Sequence, residues 1–277
     1  MVKIIIDSTA DFTLEEAEKK NLLMAPLQII FGDEQYEDMY EISKEEFYEK
    51  LKTVDPKTSQ PTPERFYKFY EEAKNNGDEV IVFTIASALS GTYQSATTAK
   101  SMIDYDKIYV VDSLCVALSL RILIDYACKL RDEGKSAKEI YDIIMPLRER
   151  VELRIIPETL NYLYRGGRLS KTTKIVGNLL GIKPIVGLED SGKVGVFGKG
   201  RGLKSTIKVV INEMKELGVD ENFPICVGYT TKDEYFEEVK AKALEEYPGF
   251  TFDEGQIGPV VGTHVGPKSA AIAYVRK

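Results

Sequence analysis

Short apolar runs alternate with amphipathic segments through the first half of the chain. The apolar runs have the length and β-branched content of buried strands, and they cover residues 3–7, 24–31, 80–85 and 108–111. Helical patterns fill the intervals, and the clearest of them cover residues 43–52, 62–76, 92–102, 116–133 and 136–150. This alternation predicts an α/β fold, with a mostly parallel, Rossmann-like sheet over residues 1–152 and helices on both of its faces.

The second half, residues 153–277, changes character. Two short strands at 184–188 and 194–198 are joined by E-D-S-G, which indicates an antiparallel hairpin. Further strands are predicted at 153–157, 224–229, 251–256 and 270–275, with helices at 170–180, 203–217 and 234–247 and a glycine-rich loop over 258–268. We therefore expect a second, α+β domain with some antiparallel pairing.

The junction between the strand at 80–85 and the helix at 92–102 is the most informative stretch. The turn between them reads A-L-S-G-T-Y, so Ser90 offers a hydroxyl and Gly91 a backbone that a ligand can approach closely. Helix N-termini at the carboxyl ends of parallel strands present unpaired N–H groups and a partial positive charge. The turn carries no acidic residue, which favours a small anion as its ligand.

The segment 56–63 contains three prolines, so it fits neither a helix nor a central strand. One interpretation is that these prolines only mark the start of the next helix. The other is that an extended, stiff backbone holds Thr58 and Ser59 toward a ligand.

Composition narrows the class of protein. The chain has 277 residues, of which 43% are hydrophobic and 29% charged, as in a water-soluble globular protein. No apolar run is long enough to span a membrane, and the first residues enter a strand pattern, so we expect a cytoplasmic location. The cysteines Cys115, Cys128 and Cys226 are too far apart for a metal motif and odd in number, so we expect reduced thiols and no bound metal.

Charge is unevenly distributed. The net charge is −7, yet the segment from Arg165 to Lys208 holds ten Lys and Arg against Glu189 and Asp190, which is +8 and leaves −15 for the remainder. A basic segment on an acidic body favours a phosphate-bearing ligand or an acidic protein face. Nucleic acid is a weaker interpretation, because Phe197 is the single aromatic residue among the cations of the segment and the chain as a whole is acidic.

Two catalytic interpretations remain open from the residues alone. Ser90, the single histidine His264, and Asp7 or Asp112 would supply the residue types of a hydrolase triad, although Ser90 is not in a G-x-S-x-G turn. Residues 198–205 are rich in glycine and lysine, but they lack the spacing of a phosphate-binding loop. A nucleotide site is therefore poorly supported.

Several motifs, in order along the chain, resemble the DegV family, whose members include the fatty-acid-binding subunits of bacterial fatty acid kinase. They are D-S-T-A-D at 7–11, T-S-Q-P-T at 58–62, S-A-L-S-G-T-Y-Q-S-A at 87–96, D-S at 112–113, G-G-R-L-S-K at 166–171, K-P-I at 183–185 and G-P-V-V-G-T-H-V-G-P at 258–267. The resemblance covers essentially the whole chain.

The resemblance implies a long-chain fatty acid bound between the two domains, with its tail in an apolar tunnel. It places the carboxylate on Thr58, Ser90, Gly91, Arg168 and His264, with no cofactor and no turnover by this chain. A partner kinase subunit would phosphorylate the carboxylate, and we expect it to dock on the basic segment that includes Arg201 and Lys204. The alternatives are a serine esterase or thioesterase that uses Ser90 and His264, and a regulatory or nucleotide-binding module. Candidate tunnel residues lie in the runs 27–31 and 156–163.

Overall fold

A computed structural model describes residues 1–169 and 181–277. Its strands are β1 (Val2–Asp7), β2 (Leu22–Ala25), β3 (Gln28–Phe31), β4 (Glu34–Glu37), β5 (Lys57–Ser59), β6 (Glu79–Thr84), β7 (Ile108–Asp112), β8 (Val151–Ile156), β9 (Ile182–Leu188), β10 (Val194–Arg201), β11 (Ile225–Tyr229), β12 (Phe252–Gln256) and β13 (Ala270–Val275). Its helices are α1 (Leu14–Lys19), α2 (Lys44–Lys50), α3 (Pro63–Asn76), α4 (Thr92–Ser101), α5 (Leu118–Asp132), α6 (Ala137–Leu147), α7 (Asn161–Arg165), α8 (Leu203–Leu217), α9 (Glu234–Glu246) and α10 (Pro259–Val265).

Two main sheets organise the chain. The first has the order β2-β1-β6-β7, and its strand pairs are all parallel. The second has the order β10-β9-β8-β13-β11-β12, in which only β11 and β12 pair in parallel. The α/β fold class, with a parallel first sheet and a mixed second sheet, is therefore confirmed.

A third, small antiparallel sheet has the order β4-β3-β5. It changes one prediction, because the run 24–31 is not one strand but two, which belong to different sheets. Pro26 separates them, since proline cannot donate a ladder hydrogen bond and has a fixed φ. The backbone N–H of Leu27 instead donates to Ser8 Oγ at 3.1 Å.

The core connects the two main sheets. One hydrophobic cluster contains side chains of the first sheet, such as Ile6 and Phe83, and of the second, such as Ile155 and Ala273. Helix α5 contributes Leu123 to this cluster and contacts β1, β8, β11 and β13. The three cysteines are buried and unbridged, as the sequence predicts.

Two further predictions concern the organisation of the chain. The boundary between residues 152 and 153 stays a prediction, and it falls inside β8. The helix predicted over 170–180 lies outside the described residues.

Three carboxyl groups are buried near the carboxyl end of β1. Asp7 and Asp38 have no exposed surface, and Asp11 is 4% exposed. Burial raises the pKa of Asp7 to about 6, of Asp11 to about 7 and of Asp38 to about 8, and the neighbouring aspartates add to the increase for Asp11 and Asp38. The cations Lys44 and Arg121 act in the opposite direction on Asp11.

These raised pKa values predict how stability depends on pH. A carboxyl with a raised pKa binds its proton more tightly in the folded state, so its stabilising contribution is lost as pH rises through the folded pKa. We expect the free energy of unfolding to fall as pH rises from about 5 to about 8, because over this range the folded state still holds protons on Asp7, Asp11 and Asp38 that the unfolded state has released. Denaturant titrations across this range measure the slope.

The variant Asp38→Asn tests the assignment, because an amide imitates the protonated acid and does not ionise. It should reduce the slope, whereas Asp106→Asn, at an exposed position, should leave it unchanged. Equal slopes in the wild type and Asp38→Asn would contradict the prediction.

Candidate functional site

A cavity of about 440 Å³ lies between the two main sheets. The first half of the chain contributes Leu27, Thr58, Ser59, Gln60, Ile85, Leu89, Ser90, Gly91 and Val116. The second half contributes Leu153, Ile155, Leu163, Arg168, Val186, Gly187, Leu188, Val194, Val260, Val261, His264 and Val265. All five residues predicted for the site, Thr58, Ser90, Gly91, Arg168 and His264, therefore line one cavity.

Two aspartates fix the loop that carries Ser90. Asp7, at the end of β1, accepts a hydrogen bond from the backbone N–H of Ile85 at 2.6 Å. Asp112, at the end of β7, accepts from the N–H of Ser87 at 2.9 Å and from its hydroxyl at 2.5 Å. The D-S motifs at 7–8 and 112–113 thus anchor the loop on both sides of β6.

Ser90 and Gly91 stand at the start of α4, as predicted. The hydroxyls of Ser90 and Thr92 lie 2.9 Å apart and share a hydrogen bond. Gly91 is packed against the side chain of Gln60, and a β-carbon at residue 91 would overlap it. Gln60 is held in turn, because its amide donates to Ser95 Oγ at 3.0 Å.

Thr58 lies in an extended segment, as the prolines predict, and this segment is the short strand β5. It pairs antiparallel with β3, and Thr58 is opposite Ile29. Its hydroxyl Oγ1 is 3.1 Å from His264 Nε2, so the two side chains share a hydrogen bond. A side chain from the first half thereby contacts one from the second half in the wall of the cavity.

His264 is on helix α10, so the loop predicted over 258–268 is wrong for residues 259–265. Pro259 occupies the first turn, where its missing N–H costs no hydrogen bond, and the N–H of Gly266 donates to the Gly262 carbonyl at 2.8 Å. The hydroxyl of Tyr48 donates to the Ile257 carbonyl at 2.9 Å, which ties the start of α10 to α2.

The environment of His264 keeps its imidazole neutral. Burial, together with the charge of Arg168, lowers the pKa of His264 to about 4. Gly166 lies against the ring, and a β-carbon at that position would overlap Nδ1. The first glycine of the G-G-R motif is thus required for the position of the imidazole.

Arg168 connects the two halves at the polar end of the cavity. Its Nε donates to the Leu89 carbonyl at 3.1 Å, next to Ser90, and its Nη1 donates to the Gly166 carbonyl at 2.7 Å. Burial lowers the pKa of Arg168, but a guanidinium remains charged at physiological pH. It is the one cation among the described residues that line the cavity.

The hydrolase triad that the sequence left open as an alternative is not assembled in the described residues. Ser90 shares its hydrogen bond with Thr92, and His264 shares one with Thr58. Asp7 and Asp112 accept from the 85–87 loop instead of orienting an imidazole. These partners disfavour Ser90 as a nucleophile, because the base and its orienting acid are engaged elsewhere.

The arrangement suits an amphipathic anion. The described wall of the cavity contains no Asp or Glu, and its polar end offers hydroxyls, a helix N-terminus and one guanidinium. The remaining wall is aliphatic, with leucine, valine and isoleucine side chains. An anionic head group and an apolar tail both find a complementary surface.

Sequence reasoning missed several lining residues. Gln60 belongs to the T-S-Q-P-T motif, so the motif itself was the available signal. Leu27 and Leu163 were not missed, because they fall in the two runs that were predicted to line a tunnel. Val116, Leu153, Leu188 and Val194 carried no signal, since an apolar residue that faces a cavity looks the same in sequence as one that faces the core.

The model of the DegV family matches residues 1–277. The chain belongs to the DegV family. A DegV domain-containing protein of Caldanaerobacter subterraneus subsp. tengcongensis is 34% identical over 278 residues, which are 100% of this chain and 99% of that protein.

Solved structures of family members share the whole fold. DegV from Bacillus subtilis, described as a fatty acid binding protein, is 30% identical with a TM-score of 0.86. A stearic acid-binding protein from Eubacterium ventriosum is 29% identical with a TM-score of 0.89. Each match covers 100% of this chain and 99% of the other.

A more distant structure agrees in fold alone. The Streptococcus pneumoniae Fatty Acid Kinase (Fak) B3 protein, loaded with linoleic acid, is 22% identical with a TM-score of 0.86, and both chains are covered completely.

Within the described ranges, no helix is both long and apolar enough to cross a bilayer. The same residues contain no group of three His, Cys, Asp or Glu side chains that could hold a metal ion.

Gly166→Ala tests the packing that positions His264. The added methyl group must displace the imidazole, so we expect loss of the hydrogen bond to Thr58 and a rise of the His264 pKa toward its usual value near 6.5. Because His264 is the only histidine, its imidazole resonance in an NMR titration of the ligand-free protein reports this directly.

Gly249→Ala is the matched control, because a β-carbon at residue 249 meets nothing within 4 Å. It should leave the titration of His264 unchanged. A wild-type imidazole that titrates near 6.5 would contradict the buried environment described above.

Proposed function

We propose that this protein binds a long-chain fatty acid and presents its carboxylate to a partner kinase, with no turnover of its own. The observation that carries the proposal is an apolar cavity with uncharged donors and one guanidinium at a single end and no acidic side chain in its described wall. The fatty-acid binding of the Bacillus subtilis and Eubacterium ventriosum relatives supports it.

The proposed head-group site consists of Thr58, Ser90, Gly91, Arg168 and His264. The hydroxyls of Thr58 and Ser90 and the backbone at Gly91 donate to the carboxylate, and Arg168 supplies the opposite charge. Charge-assisted hydrogen bonds of this kind are about twice as strong as neutral ones. His264 stays neutral and orients Thr58 through their 3.1 Å hydrogen bond, so it contributes geometry rather than charge.

The tail supplies most of the binding free energy. Each buried methylene is worth about 0.8 kcal/mol, so ten methylenes contribute roughly 8 kcal/mol before the cost of ordering the chain. The aliphatic wall provides the surface for this burial.

Ser90→Ala tests the head-group site. We expect oleate affinity to fall roughly tenfold or more, because a bond from a neutral hydroxyl to a carboxylate is lost. Titration of delipidated protein with oleate measures the change, and native mass spectrometry of the freshly purified wild type should show a co-purified fatty acid.

Ser101→Ala, at the exposed end of α4, is the control and should bind oleate like the wild type. Delipidated wild-type protein that ignores oleate would refute the proposal. Labelling of Ser90 by a fluorophosphonate probe, together with ester hydrolysis, would select the esterase alternative instead.

The proposed docking surface for the kinase is the described part of the basic segment. The cations Lys193, Lys199 and Arg201 are exposed on and beside the edge strand β10, and Lys204 and Lys208 are exposed on α8. None of these five forms an ion pair within the described residues, in contrast to Arg165, which pairs with Asp55. Unpaired surface cations on one edge favour an acidic partner face.

We also propose a cytoplasmic location, because the kinase reaction consumes ATP.

A double variant, Arg201→Glu with Lys204→Glu, tests the docking surface. It should reduce kinase-dependent acyl phosphate formation at least tenfold, because reversed charges repel the acidic partner face. The assay adds ATP and a bacterial fatty acid kinase subunit to oleate-loaded protein and traps acyl phosphate as the hydroxamate.

Lys68→Glu with Lys74→Glu makes the same charge change on exposed positions of α3 and should preserve the rate. Oleate affinity should be unchanged in both double variants. Loss of oleate binding along with phosphate formation would mean that the segment is structural.

A further inference from the structure

One leucine lines both the cavity of the candidate site and a second chamber beside it. Leu188 lines the 440 Å³ cavity and also a neighbouring chamber of about 270 Å³. The second chamber is lined by Leu114, Arg148, Glu149, Val151, Glu152, Leu188, Glu189, Asp190 and Arg276. The side chain of Leu188 is half-buried.

The strand register places Leu188 at the end of the cavity away from the head-group site. Val194 is opposite Leu188 in the β9–β10 ladder, and Ile155 is opposite Val186 in the β8–β9 ladder. The cavity-lining residues at 186 and 188 are two positions apart on one face of β9. From Ile155 the chain leaves β8 toward α7 and Arg168, whereas Leu188 lies in the other direction, toward the hairpin turn.

The hairpin turn closes this end of the cavity. Gly192 lies against Ala86 and Leu114 of the first half, and a β-carbon there would be 3.0 Å from the Ala86 side chain. Its φ of +75° suits glycine. The backbone of the turn therefore packs against the first half beyond Val194, and among the described residues Leu188 is the one that lines both the cavity and the chamber.

The two sides of Leu188 differ in polarity. The cavity side presents Val116, Leu153 and Val194. On the chamber side, Glu152 forms ion pairs with Arg154 at 3.1 Å and with Arg276 at 3.2 Å. A terminal methyl group gains burial on the first side, but on the second it would desolvate charged groups.

We propose that Leu188 sets the longest acyl chain that this protein binds, an inference that rests on the fatty-acid binding proposed above. The acyl chain extends from the head-group site along β8 and β9 until its methyl end meets Leu188. Chains that are longer must bend or enter the charged chamber, and they bind more weakly. Removal of the leucine side chain joins the two spaces, so the limit moves to longer chains.

The limit on chain length can be measured by competition binding. Saturated fatty acids from laurate to behenate compete with a fluorescent fatty acid, and the affinity of each is compared. In the wild type, affinity should rise roughly fourfold per added methylene up to a limit and then fall. In Leu188→Ala the fall should occur at an acid about two carbons longer, which matches the deleted side chain.

Leu89→Ala is the matched control, since it deletes the same atoms from the cavity wall beside Arg168, at the head-group end. It should weaken all acids alike and leave the limit in place. Leu188→Phe adds volume and should move the limit to shorter acids, which keeps the test valid if Leu188→Ala does not fold.

The outcomes separate the two proposals. If the wild type binds no acid of the series, the proposed function fails. If the wild type binds the series but folded Leu188→Ala and Leu188→Phe show the same limit, fatty-acid binding stands and the role of Leu188 is refuted.

Discussion

Two hydrogen bonds join the halves of the molecule at the polar end of the cavity. Thr58 and His264 are joined at 3.1 Å, and Arg168 donates to the Leu89 carbonyl at 3.1 Å. Each bond connects a residue before position 100 with one beyond position 160. Since the cavity wall is shared between the halves, its shape and its single polar end depend on these contacts, while the hydrophobic cluster around α5 fixes the sheets farther from the mouth.

Burial determines the charge of the groups at the polar end of the cavity. An imidazole that is neutral at physiological pH, two hydroxyls and a helix N-terminus accommodate an anion without excess positive charge, and Arg168 alone supplies the counter-charge. Nearby carboxyl groups do not oppose the anion. Asp7 and Asp112 accept hydrogen bonds from the 85–87 loop, and burial raises the pKa of Asp11 to about 7 and of Asp38 to about 8, so that these two carboxyl groups are partly protonated at neutral pH.

Close backbone approach explains several glycines of the motifs. Gly91 makes room for Gln60, and Gly166 makes room for the His264 ring. In both cases a side chain of the site occupies the space where a β-carbon would be. The glycines therefore act on the ligand site indirectly, through the polar groups that they allow to come close.

The sequence by itself determined the local structure: strand and helix identity for most elements, the Ser90–Gly91 turn at the start of α4, the hairpin of β9 and β10, and the extended backbone at Thr58. These features depend on residue periodicity, proline and capping, which act over a few neighbours. The motif resemblance named the candidate site residues, but it did not predict the contacts between them. The helix at 259–265 was missed because glycines and β-branched residues disfavour a helix locally, and packing against α2 and α7 stabilises it. Only the tertiary structure decided that Thr58 meets His264, that Asp7 and Asp112 anchor the 85–87 loop, and that Leu188 lines two cavities, because these contacts join residues that are distant in sequence.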